Sequence, residues 1–167
     1  MGNLKLTSSA FSDGGEIPRE CGYKNGNQEP PLIVSGKPEG TESVALIMDD
    51  PDAMGAVGKV WVHWVVWHII PEENDYASGT RHDEIEDLLM DHSEGTDRYY
   101  EGMTDFDECG YGGPAPPDKR HTYVLKLYAL DCKELTCAEP KATKADVEKA
   151  MEGHILEQAT LTGTYAP

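Results

Sequence analysis

Residues Val60 to Ile70 read Val-Trp-Val-His-Trp-Val-Val-Trp-His-Ile-Ile and stop at Pro71. β-Branched and aromatic side chains favour a pleated backbone, and apolar residues at both parities need cover on both faces. Such a run has to lie inside a sheet with another layer on each side, so the chain must supply partner strands. Candidates are Leu4 to Thr7, Leu32 to Val34, Ser43 to Met48 and Tyr123 to Leu130, with Thr160 to Tyr165 as an edge strand. Turn formers separate them: Asp13-Gly14-Gly15, the Gly-, Asn- and Pro-rich stretch Cys21 to Pro31, and Lys37-Pro38-Glu39-Gly40.

Helical periodicity is confined to two places. Asp83 to His92 carries Ile85, Leu88 and Leu89 three and four apart, which predicts a short helix. Thr143 to Leu156 is the clearer one: Thr143 is an N-cap, Asp146 completes a short capping box, and Val147, Ala150, Met151 and Ile155 follow at helical spacing, with Gly153 interrupting. Strands and helices do not alternate, which argues against a doubly wound parallel sheet. The expected class is mostly β, an antiparallel β-sandwich with short peripheral helices and a C-terminal helical segment. With no internal repeat and no low-complexity linker, residues 1–167 are expected to form a single domain.

Fourteen Lys and Arg against 31 Asp and Glu leave a formal net charge of −17. That surface repels phosphate backbones and anionic bilayers, so neither nucleic-acid binding nor stable membrane association is expected. The acidic residues are spread along the chain, as on a solvated acidic surface; a high-salt habitat is one reading of it, high solubility another. No apolar run reaches the roughly 18 residues that span a membrane, and the N-terminus lacks the apolar segment of a signal peptide, which together predict a cytoplasmic protein. Cys21, Cys109, Cys132 and Cys137 match no zinc-binding spacing and are expected to be reduced, although Cys132 and Cys137 are near enough in sequence for a loop disulfide.

Three segments hold the candidate site residues. Asp50-Pro51-Asp52 ends a buried strand with two carboxylates around a proline; on its own it is readily explained as a solvated turn. His63 sits in the long apolar strand and needs a hydrogen-bond partner if buried. Simple alternation puts Trp61, His63, Val65 and Trp67 on one face, with Val62, Trp64, Val66 and His68 on the other. The two histidines then point apart, which argues against a metal shared between them, and a lone strand histidine is most often a core residue. The third segment runs Gly-Tyr-Gly-Gly-Pro-Ala-Pro-Pro-Asp-Lys-Arg-His-Thr-Tyr from Gly110 to Tyr123. Glycine lets a backbone approach a ligand, the prolines stiffen the loop, and His121 and Tyr123 share a face of the next strand. Convergence of the three segments would make one pocket, with histidines beside carboxylates holding their protons and glycine amides open to an anion.

Ala45 to Pro71 (Ala-Leu-Ile-Met-Asp-Asp-Pro-Asp-Ala, then His-Trp-Val-Val, then Ile-Ile-Pro) and Gly110 to Asp131 resemble the two signatures of phosphatidylethanolamine-binding proteins. The opening Leu-Thr-Ser-Ser-Ala-Phe-Ser-Asp-Gly-Gly-Glu-Ile-Pro, Pro30-Pro31-Leu32 and the Gly-His-Ile-Leu at Gly153 resemble its bacterial and archaeal Raf-kinase-inhibitor-like branch. The resemblance implies a β-sandwich whose pocket binds phosphate-like anions, phosphoethanolamine head groups included. The matching positions are Asp50, Asp52, His63, Gly113, Pro114, His121 and Tyr123. Met54 departs from the family's usual proline, implying a less rigid turn, and Thr122 from a frequent arginine. Tyr99 to Glu108 lies outside the motifs that carry the resemblance, implying an unusual pocket rim, and the short Gly55 to Lys59 implies an open entrance.

The function expected from these readings is binding of, or regulation by, a small phosphorylated or other anionic ligand, with no cofactor and no metal. Inhibition of kinases or proteases and a homodimeric state are implied by the resemblance alone. The alternative is a hydrolase using Asp52 and His63 as acid and base; no serine or cysteine lies inside the motifs, and Cys109 stands just outside. A third reading gathers Asp50, Asp52, His63 and His121 around a divalent metal.

Overall fold

The structure is a computed structural model that describes residues 3–70, 83–84, 99–136 and 141–167. In chain order it contains β1 (Lys5–Thr7), β2 (Gly15–Glu16), β3 (Ile33–Ser35), β4 (Ser43–Asp50), α1 (Ala53–Val57), β5 (Trp61–Ile69), β6 (Asp83–Glu84), β7 (Tyr100–Glu101), β8 (His121–Leu130), α2 (Lys144–Met151) and β9 (Ile155–Tyr165). The fold is mostly β. A six-stranded sheet has the order β2-β9-β8-β4-β5-β7, and a three-stranded sheet the order β1-β3-β6. All pairings are antiparallel except β2 with β9, where Gly15 and Glu16 run parallel to Gly163 and Thr164.

β4 is the centre of the large sheet, and all eight of its residues are buried. Its alternation builds two cores. Val44, Leu46 and Met48 face the small sheet, where they meet Leu6 of β1, Val34 of β3 and Leu125 of β8. Ala45 and Ile47 face the opposite way and pack with Val65, Trp67, Leu130 and the α2 residues Val147 and Met151. The small sheet and the N-terminal segment therefore cover one face of the large sheet, and α2 covers the other. That is the double cover demanded by the apolar run in β5.

β5 does not alternate simply. Asp49 of β4 pairs with Val62 and Met48 with Trp64, so His63 is an extra residue. Such a bulge shifts the phase of the side chains beyond it. Val62 packs with Val65 and Trp67 on the α2 side, whereas Trp64 and Val66 lie in the other core. His63 makes its ring contacts with Tyr123 of that other core. The expected grouping of His63 with Val65 and Trp67 is thus corrected: the bulge separates it from them. A second irregularity, between Val44 and Leu46 of β4, lies opposite Trp67 and His68, and His68 has a left-handed φ of 62°.

The C-terminal helical segment is shorter than its periodicity implies. Thr143 caps α2, its side chain accepting from the Asp146 amide while the Asp146 carboxylate accepts from the Thr143 amide. After Met151 the chain turns at Gly153, whose φ of +82° is open to glycine. Ile155 and Leu156, which the periodicity assigned to the helix, begin β9. β9 is also not an edge: it lies between β2 and the full length of β8. Of the helix expected over Asp83 to His92, Asp83 and Glu84 form β6 and the remainder lies outside the described residues. Among the described residues, no helix is long and apolar enough to cross a membrane.

Central burial and helix capping differ in weight. Leu46→Ala, at a fully buried position of β4, is expected to cost about 2–5 kcal/mol, and Thr143→Ala about 1 kcal/mol. Urea unfolding of the two variants beside wild type measures both; a Leu46→Ala loss no larger than that of Thr143→Ala would contradict the central place of β4.

Candidate functional site

The last two residues of β4 point to opposite faces. Asp49 turns toward α2, where Lys144 Nζ lies 2.8 Å and Lys126 Nζ 3.8 Å from its Oδ2. Asp50 turns the other way and forms the floor of a cavity of about 220 Å³. Its Oδ1 accepts from the Ala53 amide at 3.2 Å, which holds the turn leading into α1. Its Oδ2 accepts from His121 Nδ1 at 2.7 Å. The other ring nitrogen, Nε2, donates to Asp118 Oδ1 at 2.7 Å. Only an imidazolium can donate to both carboxylates at once. Burial, the largest single influence on His121, opposes its charge, but hydrogen bonds to Asp50 and Asp118 and the charges of both carboxylates outweigh it. The His121 pKa is raised in consequence. The same contact lowers the pKa of Asp118, chiefly through the His121 hydrogen bond.

Asp52 serves the scaffold: its Oδ2 accepts from the Thr122 amide at 2.8 Å and ties the start of α1 to β8. The bulge delivers His63 to the same cavity. Its Nδ1 donates to the Gly112 carbonyl at 2.7 Å, and the Gly112 amide returns a bond to the His63 carbonyl at 2.9 Å. The ring stands edge-on to Tyr123 at 5.1 Å and to Phe106 at 5.3 Å between centroids. Nδ1 being occupied, Nε2 is the ring nitrogen left for a ligand. Burial lowers the His63 pKa, although Gly112 and Asp50 pull the other way. His63 and His121 therefore face the same cavity with opposite tendencies.

The glycines act through packing. A Cβ on Gly113 would strike the Cys21 carbonyl oxygen, and one on Gly112 would strike the Phe106 ring. The Gly113 amide donates to Asn27 Oδ1 at 2.7 Å and the Gly112 amide to His63. Neither is an open donor, in contrast to the expectation from glycine content alone. Pro114 accepts from the Tyr23 amide and lines a neighbouring depression with Arg19, Lys24 and Tyr165. Ala115 and Pro117 of the same loop do line the cavity.

The structure thus brings Asp50, His63 and His121 onto one cavity, places Tyr123 against His63, and puts Asp52, Gly113 and Pro114 behind its walls. Trp61 and Phe106 form much of the aromatic wall, and Ala53, Ala56 and Val57 of α1 the aliphatic one. These were not singled out from sequence. The stretch Gly55 to Lys59, read as a short open rim, is largely the end of α1 and its Gly58 C-cap. Phe106 stacks on Tyr23 at 4.2 Å, and Asp105 beside it accepts from the Val62 amide and from Lys59 Nζ. One buried donor here, Trp61 Nε1, has no hydrogen-bond partner among the described residues, whereas the Tyr123 hydroxyl lies against Asp50 and the Ala115 amide. Buried donors of this kind are rare unless something else occupies them. The metal set of Asp50, Asp52, His63 and His121 is not assembled: among the described residues, the one group of three potential ligands lying together is Asp131, Cys132 and His154.

The family model for phosphatidylethanolamine-binding protein matches residues 7–166. The chain belongs to the phosphatidylethanolamine-binding protein family. A protein of the UPF0098 group from Methanothermobacter thermautotrophicus is 40% identical over 162 residues, covering 97% of this chain and 98% of its own. A crystal structure of a phosphatidylethanolamine-binding protein homologue from Chlamydia trachomatis superposes with a TM-score of 0.78 at 32% identity, covering 99% and 98% of the two chains. Escherichia coli YbcL, described as a member of the mammalian family, superposes with a TM-score of 0.75 at 26% identity, covering 98% of each. Relatives therefore come from both archaea and bacteria, and the described residues share the family's β-rich fold.

If the glycines work by close packing, a single methyl group at Gly113 disturbs this family member's loop. Gly113→Ala is expected to destabilise by about 1–3 kcal/mol, measured by urea unfolding. Gly40→Ala, where space is open but φ is +88°, is the control for backbone strain alone and is expected to lose about 1–2 kcal/mol.

Proposed function

We propose that this protein is a ligand-binding module whose cavity holds the anionic head group of a small phosphorylated compound. The observation that carries the reading is the polar capacity left at one cavity: Trp61 Nε1, buried without a partner among the described residues, and His63 with only Nδ1 tied to the protein. The negative charge of Asp50 does not oppose an anion freely, because His121 and the Ala53 amide already hold both of its oxygens. Aromatic and aliphatic walls exclude water and strengthen each of these contacts.

His63 sets the pH dependence. In the free protein, burial keeps the ring neutral down to lower pH than an ordinary histidine. An anion against Nε2 favours the imidazolium, so binding takes up a proton. Affinity then rises as pH falls. Inorganic phosphate and phosphoethanolamine are the probes.

Binding is favoured over hydrolysis by what the cavity lacks. Among the described lining residues there is no serine, threonine, cysteine or lysine, and Asp50, a carboxylate that could attack, has both oxygens engaged by His121 and the Ala53 amide. Cys21, behind the Gly113 loop, is buried, and burial pushes its thiol up to about 11. A kinase or protease target is not assigned.

Calorimetric titration of both probes into wild type and His63→Ala, at pH 6 and pH 8, tests the reading. The expected result is tighter binding at pH 6 and loss of binding in a His63→Ala variant that keeps the wild-type circular dichroism. Absence of binding in wild type, or equal binding in the variant, would refute it.

A further inference from the structure

We propose that Asp131, Cys132 and His154 form a zinc site at the end of the large sheet opposite to the ligand cavity. His121 begins β8 and Asp131 directly follows it, so the ten-residue strand sets the two places roughly 30 Å apart. One ligand atom from each of the three side chains lies within 4.8 Å of the other two. Ligands around a tetrahedral zinc bound at about 2.0–2.3 Å sit somewhat closer than that to one another, so only small side-chain movements are needed.

The backbone prearranges the three residues. Asp131 and His154 flank the paired residues Leu130 and Ile155, where β8 ends and β9 begins. The Asp131 amide donates to the His154 carbonyl at 3.0 Å, and the His154 amide to Met151 at 2.9 Å. The Cys132 carbonyl accepts from Ser43 Oγ at 2.6 Å, which fixes the third residue to β4. Asp131 Oδ1 already holds His154 Nδ1 at 2.8 Å, and the side chains of this pair are each 46% exposed. Solvent therefore has a path in, while Cys132 packs against the core beneath α2.

The donor set selects the ion. A thiol, an imidazole and a carboxylate suit zinc, whereas magnesium and calcium require oxygen donors. On binding, the thiol proton leaves to solvent and the thiolate and carboxylate together neutralise the dication. Three protein ligands leave the fourth position to water. The strongly acidic surface, −17 overall, concentrates divalent cations near it. A bound ion would join the end of β8 to the start of β9 and stabilise the fold by linkage.

The test uses the full chain, reduced and freed of metal by chelator, with cobalt as spectroscopic probe and zinc as competitor. Wild type is expected to bind one cobalt with tetrahedral visible bands and a thiolate-to-cobalt charge-transfer band. Zinc is expected to abolish both and to raise the melting temperature. Cys132→Ser removes the charge-transfer band, and His154→Gln and Asp131→Asn each weaken zinc by at least about tenfold, the loss that even an outer partner of a metal ligand causes. All three are conservative changes at partly or fully exposed positions, so their far-ultraviolet dichroism should match wild type. A charge-transfer band that survives in Cys132→Ser would place the metal on another thiol. That result, or a wild type with neither band nor thermal shift, would overturn the proposal.

Discussion

The buried contact between Asp50 and His121 organises the functional end of the molecule. Both side chains are almost entirely shielded, at 5% and 0% exposure, so the contact between them is made away from water. Removing one partner from a buried pair typically costs about 3–5 kcal/mol, and here His121 alone has a second carboxylate, Asp118, to fall back on. The contact joins the last residue of β4 to the first of β8, the point at which these paired strands open around the cavity. It also satisfies Asp50, so the cavity floor carries a carboxylate that is already neutralised by a neighbour. Asp118 closes the arrangement from the solvent side. An acidic protein can thus present a cavity to an anion, because the carboxylate nearest to it is engaged by an imidazolium.

The bulge in β5 is the second constraint. One additional residue opposite the Met48–Asp49 step turns His63 out of the phase of Val62 and Val65 and into the space occupied by Tyr123. Gly112 then fixes the residue with two hydrogen bonds, its carbonyl accepting from ring Nδ1 and its amide donating to the His63 backbone carbonyl. The close approach that makes this exchange possible requires glycine, since any side chain at that position meets Phe106. Bulge, glycine pair and Phe106 form one unit, and the orientation of the single uncommitted nitrogen of His63 depends on all three.

Much of this was legible in the chain. The runs Ser43 to Met48, Val60 to Ile70 and Tyr123 to Leu130 announce β4, β5 and β8 because burial on two faces leaves an unmistakable apolar composition. Thr143 and Asp146 announce the start of α2 through a local hydrogen-bond pattern. What failed was the reading of phase. A bulge leaves no mark in composition, so strict alternation set His63 on the wrong side of β5. Ile155 follows Met151 at helical spacing, yet Gly153 releases the chain and the pairing of β9 with β8 prevails over periodicity. Phe106 and Trp61 were missed for a different reason: an aromatic residue in a loop or at a strand end looks the same whether it fills a core or walls a cavity. The two motifs drew attention to the polar floor, and the walls emerge only from tertiary packing.

Their surroundings bias the two histidines of the cavity toward opposite protonation states. Nitrogen-15 NMR of the imidazole side chains, followed across pH 5 to 8, measures this directly. His121 is expected to keep both ring protons above the ordinary histidine pKa of 6.5, while His63 stays neutral, with its proton on Nδ1, to below that value. Histidines that titrate together near 6.5, or a His121 that deprotonates before His63 as pH rises, would contradict it.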